Sequence, residues 1–571
     1  MSHTPKLRQG IARLPHAAGI TTKLTVQARL DNLPEVTTAF TPRARLVDRL
    51  SLTAALVVHV LAWLVGTRPV ALDPDAMNLA YGMQRFDITH SNPHAPGYLV
   101  YVWALKAVHL VTARGDSLPD RFATVQMVAL LFGLGAILVV YAAARRLKLC
   151  PGAGWASLVM ALHPILVFHS IDAQTHTSEA FASGLLLFGA LGYRQHPGWR
   201  RAIGLGLIIA LGSALRPSFI IFGIPVVVWT VGFARFGDLM TAGAASVVGA
   251  VGWIAPTVHL SGGWEIWRSA TRGLVHHGFV LTSSPFSDTA MGALVWANQL
   301  SLALWALETV LPLLVAWAVA HASGGRTARP MHPDTRWLHG VLLIGGASAV
   351  LYYAATFISE PGYLAALLPP VALGVGVLSG ERARPAAFAV LAVLSCWAIP
   401  ELPRVLKVPS VAEWQRRTQL AAAYDEHVES ALPPEGRYLA IIGHPDITVG
   451  RQLPMLNPRV DALLVHDGRW AWFERTSLTY VTEDDTAPIP EAFGPPGAGA
   501  SIATSRDYDG VYFDGSLAPH FQAQLAKASS CPTELATDVT HTVLLPASCI
   551  QQRIVIDGLT LRFGVEGAPV R

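Results

Sequence analysis

Long apolar runs separated by short polar loops are the feature that most constrains this chain. The runs are about 15 to 25 residues long, the length that an α-helix needs to cross a hydrocarbon core roughly 30 Å thick. Hydrophobic residues make up 52% of the 571 residues and charged residues only 14%, so the polar side chains are too few to cover the apolar surface in water. The sequence therefore predicts an all-α polytopic membrane protein.

The runs predict about eleven spanning helices. In chain order they lie at Leu50–Thr67, Phe122–Ala144, Ala153–Ser170, Ser178–Tyr193, Ala202–Leu215, Ser218–Phe233, Leu239–Val258, Leu304–Ala320, Trp337–Phe357, Tyr363–Leu378 and Pro385–Ile399. Residues 1–49 are a basic tail with no cleavable signal sequence, so we expect the first span to direct insertion as well. Residues 50–400 then form the transmembrane domain.

The polar region at residues 405–571 has a different composition. Short alternating runs at Tyr438–Ile442, Ala462–Val465 and Thr542–Leu545 stand between Pro- and Gly-rich turns, a pattern typical of strands. We expect a small α/β domain here. Cys531 and Cys549 both lie in it, and a disulfide between them is expected if the domain is exported.

The apolar segment Tyr98–Val111 decides the predicted topology, because it is short and contains two ionisable side chains. If it does not span, most Lys and Arg residues fall on the cytoplasmic side, whereas a spanning segment would divide them almost evenly. The positive-inside rule favours the first arrangement. It places the N-terminus in the cytoplasm, residues 68–121 in one large outer loop, and the C-terminal domain outside the cytoplasmic (inner) membrane.

In this topology the unusual polar residues collect at the outer face, whereas the cytoplasmic loops are short and mainly basic. The outer group consists of Asp73, Asp75, His94, Tyr98, Asp172, His176, Glu179, Arg216, Arg268, Arg272, Glu360 and Tyr363. Ionisable groups are costly next to a bilayer, so such a group indicates function. Structural alternatives are helix capping by the two aspartates and snorkelling by Arg216. Glu308 lies inside a span, with Asn298 and Arg216 as its candidate partners.

Three stretches resemble bacterial GT-C glycosyltransferases, in the branch related to protein O-mannosyltransferases (glycosyltransferase family 39-like). Asp75 followed by Pro93-His94-Ala95-Pro96-Gly97-Tyr98 resembles the first outer loop of that family, where an acidic residue precedes a His-Pro-Pro-Gly-Tyr-like motif. Residues 172–181 and 360–370 resemble two further segments. The resemblance covers roughly residues 50–400. Ala95 replaces the usual first proline, and Asp-Pro-Asp replaces an adjacent Asp-Glu pair, so either aspartate remains a candidate base.

The resemblance implies an inverting transferase that moves a hexosyl or pentosyl group from a polyprenyl-phosphate donor to a hydroxyl on a glycan, lipid or protein. Asp75 is the candidate base, since a hydroxyl needs a positioned carboxylate to take its proton. Asp73 would assist it or, with Asp75, bind a divalent metal such as Mg or Mn. Arg216, with Arg268 or Arg272 as further candidates, would hold the lipid phosphate. The remaining outer residues would orient the sugar or the acceptor: His94, Tyr98, Asp172, His176, Glu179, Glu360 and Tyr363.

The alternative is a transporter or flippase of lipid-linked sugars, which would also need many spans and a few buried charges. Transporters usually carry internal repeats with broken helices near the middle of the membrane. No repeat is evident in this sequence, and the polar residues collect at one face. An assembly protein whose spans serve only as an anchor would not need about eleven of them. A net charge of +4 without a basic patch argues against a nucleic-acid partner.

Overall fold

The computed structural model describes most of the transmembrane region and short segments of the C-terminal region. The described residues are 41–67, 74–88, 92–274, 284–286, 292–323, 333–356, 360–379, 383–400, 402, 408–416, 419, 435–442, 459–466, 469–473, 480–482, 501–503, 508–513, 543–546, 553–556 and 559–562. The α-helices are α1 Pro42–Gly66, α2 Pro74–Gln84, α3 Leu99–Thr112, α4 Leu118–Arg146, α5 Gly152–Leu162, α6 Pro164–Ile171, α7 His176–Gln195, α8 Trp199–Leu215, α9 Phe219–Val231, α10 Phe236–Leu260, α11 Trp264–Gly273, α12 Gly292–Ala322, α13 Pro333–Ala355, α14 Leu368–Ser379 and α15 Ala383–Trp397.

The predicted spans fall on helices, and two of them are divided: the run at Ala153–Ser170 between α5 and α6, and the run at Tyr363–Leu378 between a 3₁₀ helix, Pro361–Leu367, and α14. Within the described residues, six helical segments are long and apolar enough to cross a membrane, or seven if the bent pair α5–α6 is one span. The chain is therefore a multi-pass membrane protein. The first helix begins at Pro42, inside the predicted tail of residues 1–49.

The run predicted as one span at Ala153–Ser170 is broken. Helices α5 and α6 meet at an angle of 53°, because Pro164 lacks the N–H that would continue the helix. The groups at the break find other partners: the ring of His163 accepts from the backbone N–H of Ile165 at 3.3 Å. The indole of Trp397 donates to the carbonyl of Leu162 at 2.9 Å.

Close helix contacts depend on small residues, as is usual between membrane helices. A Cβ atom on Gly152 would lie 2.4 Å from the carbonyl oxygen of Gly376, so α5 and α14 touch through their backbones. A Cβ on Gly154 would lie 2.5 Å from the backbone oxygen of Asp48. The start of α1 is thus held directly against α5.

The described strands of the C-terminal region form two sheets. They are β1 Tyr438–Ile442, β2 Val460–His466, β3 Arg469–Phe473, β4 Tyr480–Thr482, β5 Ser501–Ala503, β6 Gly510–Phe513, β7 Val543–Pro546, β8 Arg553–Ile556 and β9 Leu559–Arg562. The six-stranded sheet has the order β4-β3-β2-β1-β6-β7 and the three-stranded sheet the order β5-β9-β8. In the larger sheet β1 is parallel to both β2 and β6. The three predicted strands coincide with β1, β2 and β7.

Candidate active site

The first-loop motif lies between α2 and α3 and is shaped by two glycines. A Cβ on Gly82 of α2 would lie 2.8 Å from the ring of Pro93, so the helix packs directly on the start of the motif. Gly97 has a φ of +113°, and a Cβ there would lie 2.9 Å from both Phe86 and Thr257. Only glycine fits such a conformation without strain. The local fold therefore explains the glycine in the Pro-Gly-Tyr ending of the motif.

Asp75 and His94 form an ion pair at this turn. Asp75 lies in the first turn of α2, and its Oδ2 is 3.1 Å from Nε2 of His94. The other ring nitrogen, Nδ1, is 2.6 Å from the carbonyl oxygen of Ala95. A carbonyl and an ionised carboxylate only accept hydrogen bonds, so the contacts of both ring nitrogens fit the imidazolium form of His94, in which both donate.

The electrostatics of the ion pair agree with this assignment. Burial alone would lower the pKa of His94, but the charge of Asp75 and its hydrogen bond raise it above the ordinary value. The Asp75 side chain is 48% exposed, against 15% for His94. The Asp75 carboxylate is thus held by His94 and still accessible from outside the site.

A second charged pair, Arg216 with Glu179, is almost completely buried. Nε of Arg216 lies 3.0 Å from Oε2 of Glu179, and the two side chains are 7% and 1% exposed. Ser218 donates to the other carboxylate oxygen at 3.2 Å, and Nη1 of Arg216 donates to the hydroxyl of Thr175. Arg216 therefore does not snorkel. It is a fixed cation between α8 and α9.

Aromatic rings cover this cation from the segment that follows α13. The guanidinium carbon of Arg216 lies 5.0 Å from the ring centre of Tyr363, which in turn contacts the rings of His176 at 5.2 Å and Tyr353 at 5.1 Å. A Cβ on Gly362 would lie 2.2 Å from Cγ of His176. The glycine of the Glu-Pro-Gly-Tyr segment is thus required by ring packing beneath it.

Tyr98 connects the two charged pairs, because it is buried in one apolar cluster with Leu215, the residue directly before Arg216. Burial raises the pKa of this phenol most, Arg216 lowers it, and Asp75, Tyr363 and Glu179 raise it further. Its ring also meets the ring of His94 edge-on at 5.0 Å. The three stretches of the family resemblance, although distant in sequence, therefore converge on one site.

Other predicted residues lie at its margin or outside the described residues. Asp172 is buried at the C-cap of α6, and Glu360 is buried just before the 3₁₀ helix. Arg268, on α11, makes an exposed ion pair with Glu265 at 3.7 Å, and Arg272 is in the last turn of that helix. Asp73, Cys531 and Cys549 lie outside the described residues.

The expected pairing of Glu308 is not formed. Both of its carboxylate oxygens are buried without a hydrogen-bond partner among the described residues, which include both candidate partners. The amide of Asn298 instead donates to the carbonyl oxygen of Thr356 at 3.0 Å. Arg216 is held by Glu179, as described above.

Sequence reasoning missed Thr175, Ser218 and Tyr353. Thr175 directly precedes His176, and Ser218 closes the Arg-Pro-Ser turn, so their positions beside predicted residues were an available signal. Tyr353 lies in an apolar span with no such signal. No group of three or more His, Cys, Asp or Glu side chains able to hold a metal occurs in the part of the chain that the structure describes, which does not include Asp73.

The helices and the site define a multi-pass membrane protein of the GT-C fold. ArnT from Cupriavidus metallidurans, solved with undecaprenyl phosphate, is similar over 87% of this chain and 97% of its own, at 12% identity and a TM-score of 0.53. The Archaeoglobus fulgidus oligosaccharyltransferase, solved with Zn and sulfate, is similar over 83% of this chain and 69% of its own, at 13% identity and a TM-score of 0.41. No protein-family model matches the sequence, and no curated protein matches it. The likeness to ArnT shows a shared fold and confirms the predicted GT-C-like membrane fold, whereas the predicted eleven spans and the extracytoplasmic α/β domain stay predictions.

Proposed function

We propose that the protein is a glycosyltransferase that moves a sugar from a polyprenyl-phosphate donor to a hydroxyl acceptor at the outer face of the cytoplasmic membrane. The observation that carries this proposal is the accessible carboxylate of Asp75 at the same site as the buried cation Arg216, connected to it through the cluster that contains Tyr98 and Leu215. The GT-C fold supports it, as does the binding of undecaprenyl phosphate by ArnT, which shares that fold.

The two pairs have complementary roles in this reaction. Asp75 takes the proton of the acceptor hydroxyl while the oxygen of that hydroxyl bonds to the anomeric carbon. The bond from that carbon to the phosphate oxygen breaks, and the lipid phosphate leaves with the electron pair. Arg216 offsets the charge that develops on the phosphate. A single displacement inverts the anomeric configuration.

His94 and Glu179 support these groups without reacting. The imidazolium of His94 keeps Asp75 ionised and directs one of its oxygens, which leaves the carboxylate in the form that accepts a proton. Thr175 accepts one of the five N–H donors that a guanidinium carries, and Glu179 holds the Nε side of the guanidinium as an ion pair. The other donors are then available to a phosphate in a fixed geometry.

The test measures release of polyprenyl phosphate by the purified protein in lipid nanodiscs, with a panel of polyprenyl-phosphate sugars and envelope extract as the source of acceptor. We expect Asp75→Asn to lower release by roughly 10²- to 10⁴-fold, the usual contribution of a general base. Asp116→Asn is the matched control, because this carboxylate is in the same predicted outer loop and 89% exposed. It should leave release unchanged.

Asp73→Asn is measured in parallel and distinguishes the two candidate bases. Loss of release in Asp73→Asn alone would assign the base to Asp73 and refute the role of Asp75. A panel with no release from any donor, but with saturable transport of one of them, would refute the transferase and establish the flippase alternative. Addition of EDTA to the wild-type assay tests the metal requirement.

A further inference from the structure

Helix α11 contacts the Pro93–Tyr98 turn from a distant part of the chain. It follows α10 through Gly262 and Gly263, whose φ angles of +87° and +121° turn the chain sharply. Nε1 of Trp267 donates to the carbonyl oxygen of Pro96 at 3.0 Å. Ala270, on the same side of the helix, is buried in one cluster with Ala95. The contact therefore combines one directed hydrogen bond with apolar packing.

The carbonyl of Pro96 lies at the centre of the turn that carries the site residues. Within the turn, the amide of Gly97 donates to the carbonyl of His94 at 3.1 Å. Gly97 and Tyr98 both have positive φ angles, so the segment belongs to neither a helix nor a strand ladder. A turn of this kind takes its orientation from the elements that pack against it.

We infer that Trp267 is a positioning residue that holds the Pro93–Tyr98 turn so that His94 remains in contact with Asp75. The indole N–H of Trp267 is donated to the backbone of the turn. Trp267 therefore influences Asp75 only through the turn, which positions His94. The consequence for turnover rests on the proposed function, whereas the effect on the turn itself does not. The groups that surround His94 are Asp75 from α2, Tyr98 at the start of α3, and Arg216 between α8 and α9.

The same helix provides a matched control. Trp264 lies one turn away, and its ring meets that of Trp267 at 5.3 Å. It is 54% exposed. Trp264→Phe and Trp267→Phe therefore make the same chemical change on one helix, but only Trp267→Phe removes the hydrogen bond to the turn.

The first readout needs no activity. Hydrogen exchange followed by mass spectrometry measures how well the backbone of residues 92–98 is protected in nanodiscs. We expect Trp267→Phe to speed exchange in this segment by roughly five- to tenfold, the ratio that one hydrogen bond of ordinary net strength represents. Trp264→Phe should not change it. Equal exchange in all three proteins would overturn the inference even if the protein proves to be a transferase.

The second readout is kinetic. Trp267→Phe should lower kcat by roughly five- to tenfold and leave KM for the polyprenyl-phosphate donor unchanged, since Arg216 is not displaced. In a His94→Ala background the same substitution should have no further effect, because Trp267 acts through that ring. A purely structural role would give additive losses and would overturn the inference. If Trp267→Phe does not fold, Trp267→Tyr, which also lacks the indole N–H but keeps more of the ring volume, replaces it in both measurements with the same expected results.

Discussion

Asp48 is expected to be one of the most stabilising polar residues of the transmembrane domain. Its side chain is 1% exposed, and it accepts hydrogen bonds from the hydroxyl of Tyr141 at 2.9 Å, Nη1 of Arg145 at 2.9 Å and the amide of Gly154 at 2.7 Å. These three donors belong to α4 and α5, whereas Asp48 belongs to α1. One carboxylate therefore joins three helices.

The cost of removing this carboxylate follows from what each donor loses. Asp48→Ala leaves the Tyr141 hydroxyl and the Gly154 amide without an acceptor, at about 1–3 kcal/mol each. Arg145 is 39% exposed and can rehydrate, so its loss adds little. We expect a total of roughly 2–6 kcal/mol. Asp48→Asn keeps a carbonyl acceptor and should cost less, about 1–2 kcal/mol.

The assay is reversible unfolding in mixed micelles, followed by tryptophan fluorescence. Asp334→Ala is the control, because Asp334 pairs with Arg194 at 3.2 Å while both side chains remain about a quarter exposed. Such a pair contributes roughly 0–1 kcal/mol. The reasoning is refuted if Asp48→Ala and Asp334→Ala destabilise the protein equally.

Three further predictions concern the site. Arg216→Met should abolish release of polyprenyl phosphate and also destabilise the protein by about 3–5 kcal/mol, because Glu179 is left buried and unpaired. The double variant with Glu179→Met should recover the stability, measured by unfolding, but not the release of polyprenyl phosphate. Gly362→Ala should cost about 1–3 kcal/mol and reduce release, since the new Cβ meets the ring of His176, whereas Gly204→Ala, with no atom within 4 Å of its Cβ, should be neutral in both assays. The pKa of His94 is raised in the folded protein, so its charged contact with Asp75 is fully present below the ordinary histidine pKa of about 6.5 and is lost as the pH rises through the higher folded pKa. The pH–rate profile should therefore fall on the alkaline side, and His94→Gln should remove this alkaline decrease.

The sequence predicted the spans because apolar length is a local property. It also predicted Asp75, His94 and Arg216 as members of one group at the outer face, from the predicted topology, and their assigned roles remain predictions. It did not predict the role of Asp48, because residues 1–49 have the composition of a polar tail. The partners of Asp48 lie in α4 and α5, far away in the sequence. It missed Tyr353 for a similar reason, since nothing local distinguishes it from other aromatic residues in spans.

The two charged pairs of the site differ in burial, and the difference suits the proposed reaction. Asp75 is half exposed, as a base must be if it is to meet an acceptor that arrives from outside the membrane domain. Arg216 and Glu179 are almost fully buried, where water is excluded and a cation acts on a phosphate more strongly than it would in solution. Burying Arg216 and Glu179 carries a desolvation cost. If the pair served only to pack the helices, apolar residues of similar size could do so without that cost. A charged pair kept at this depth is therefore better explained by the anion that it is proposed to bind than by stability.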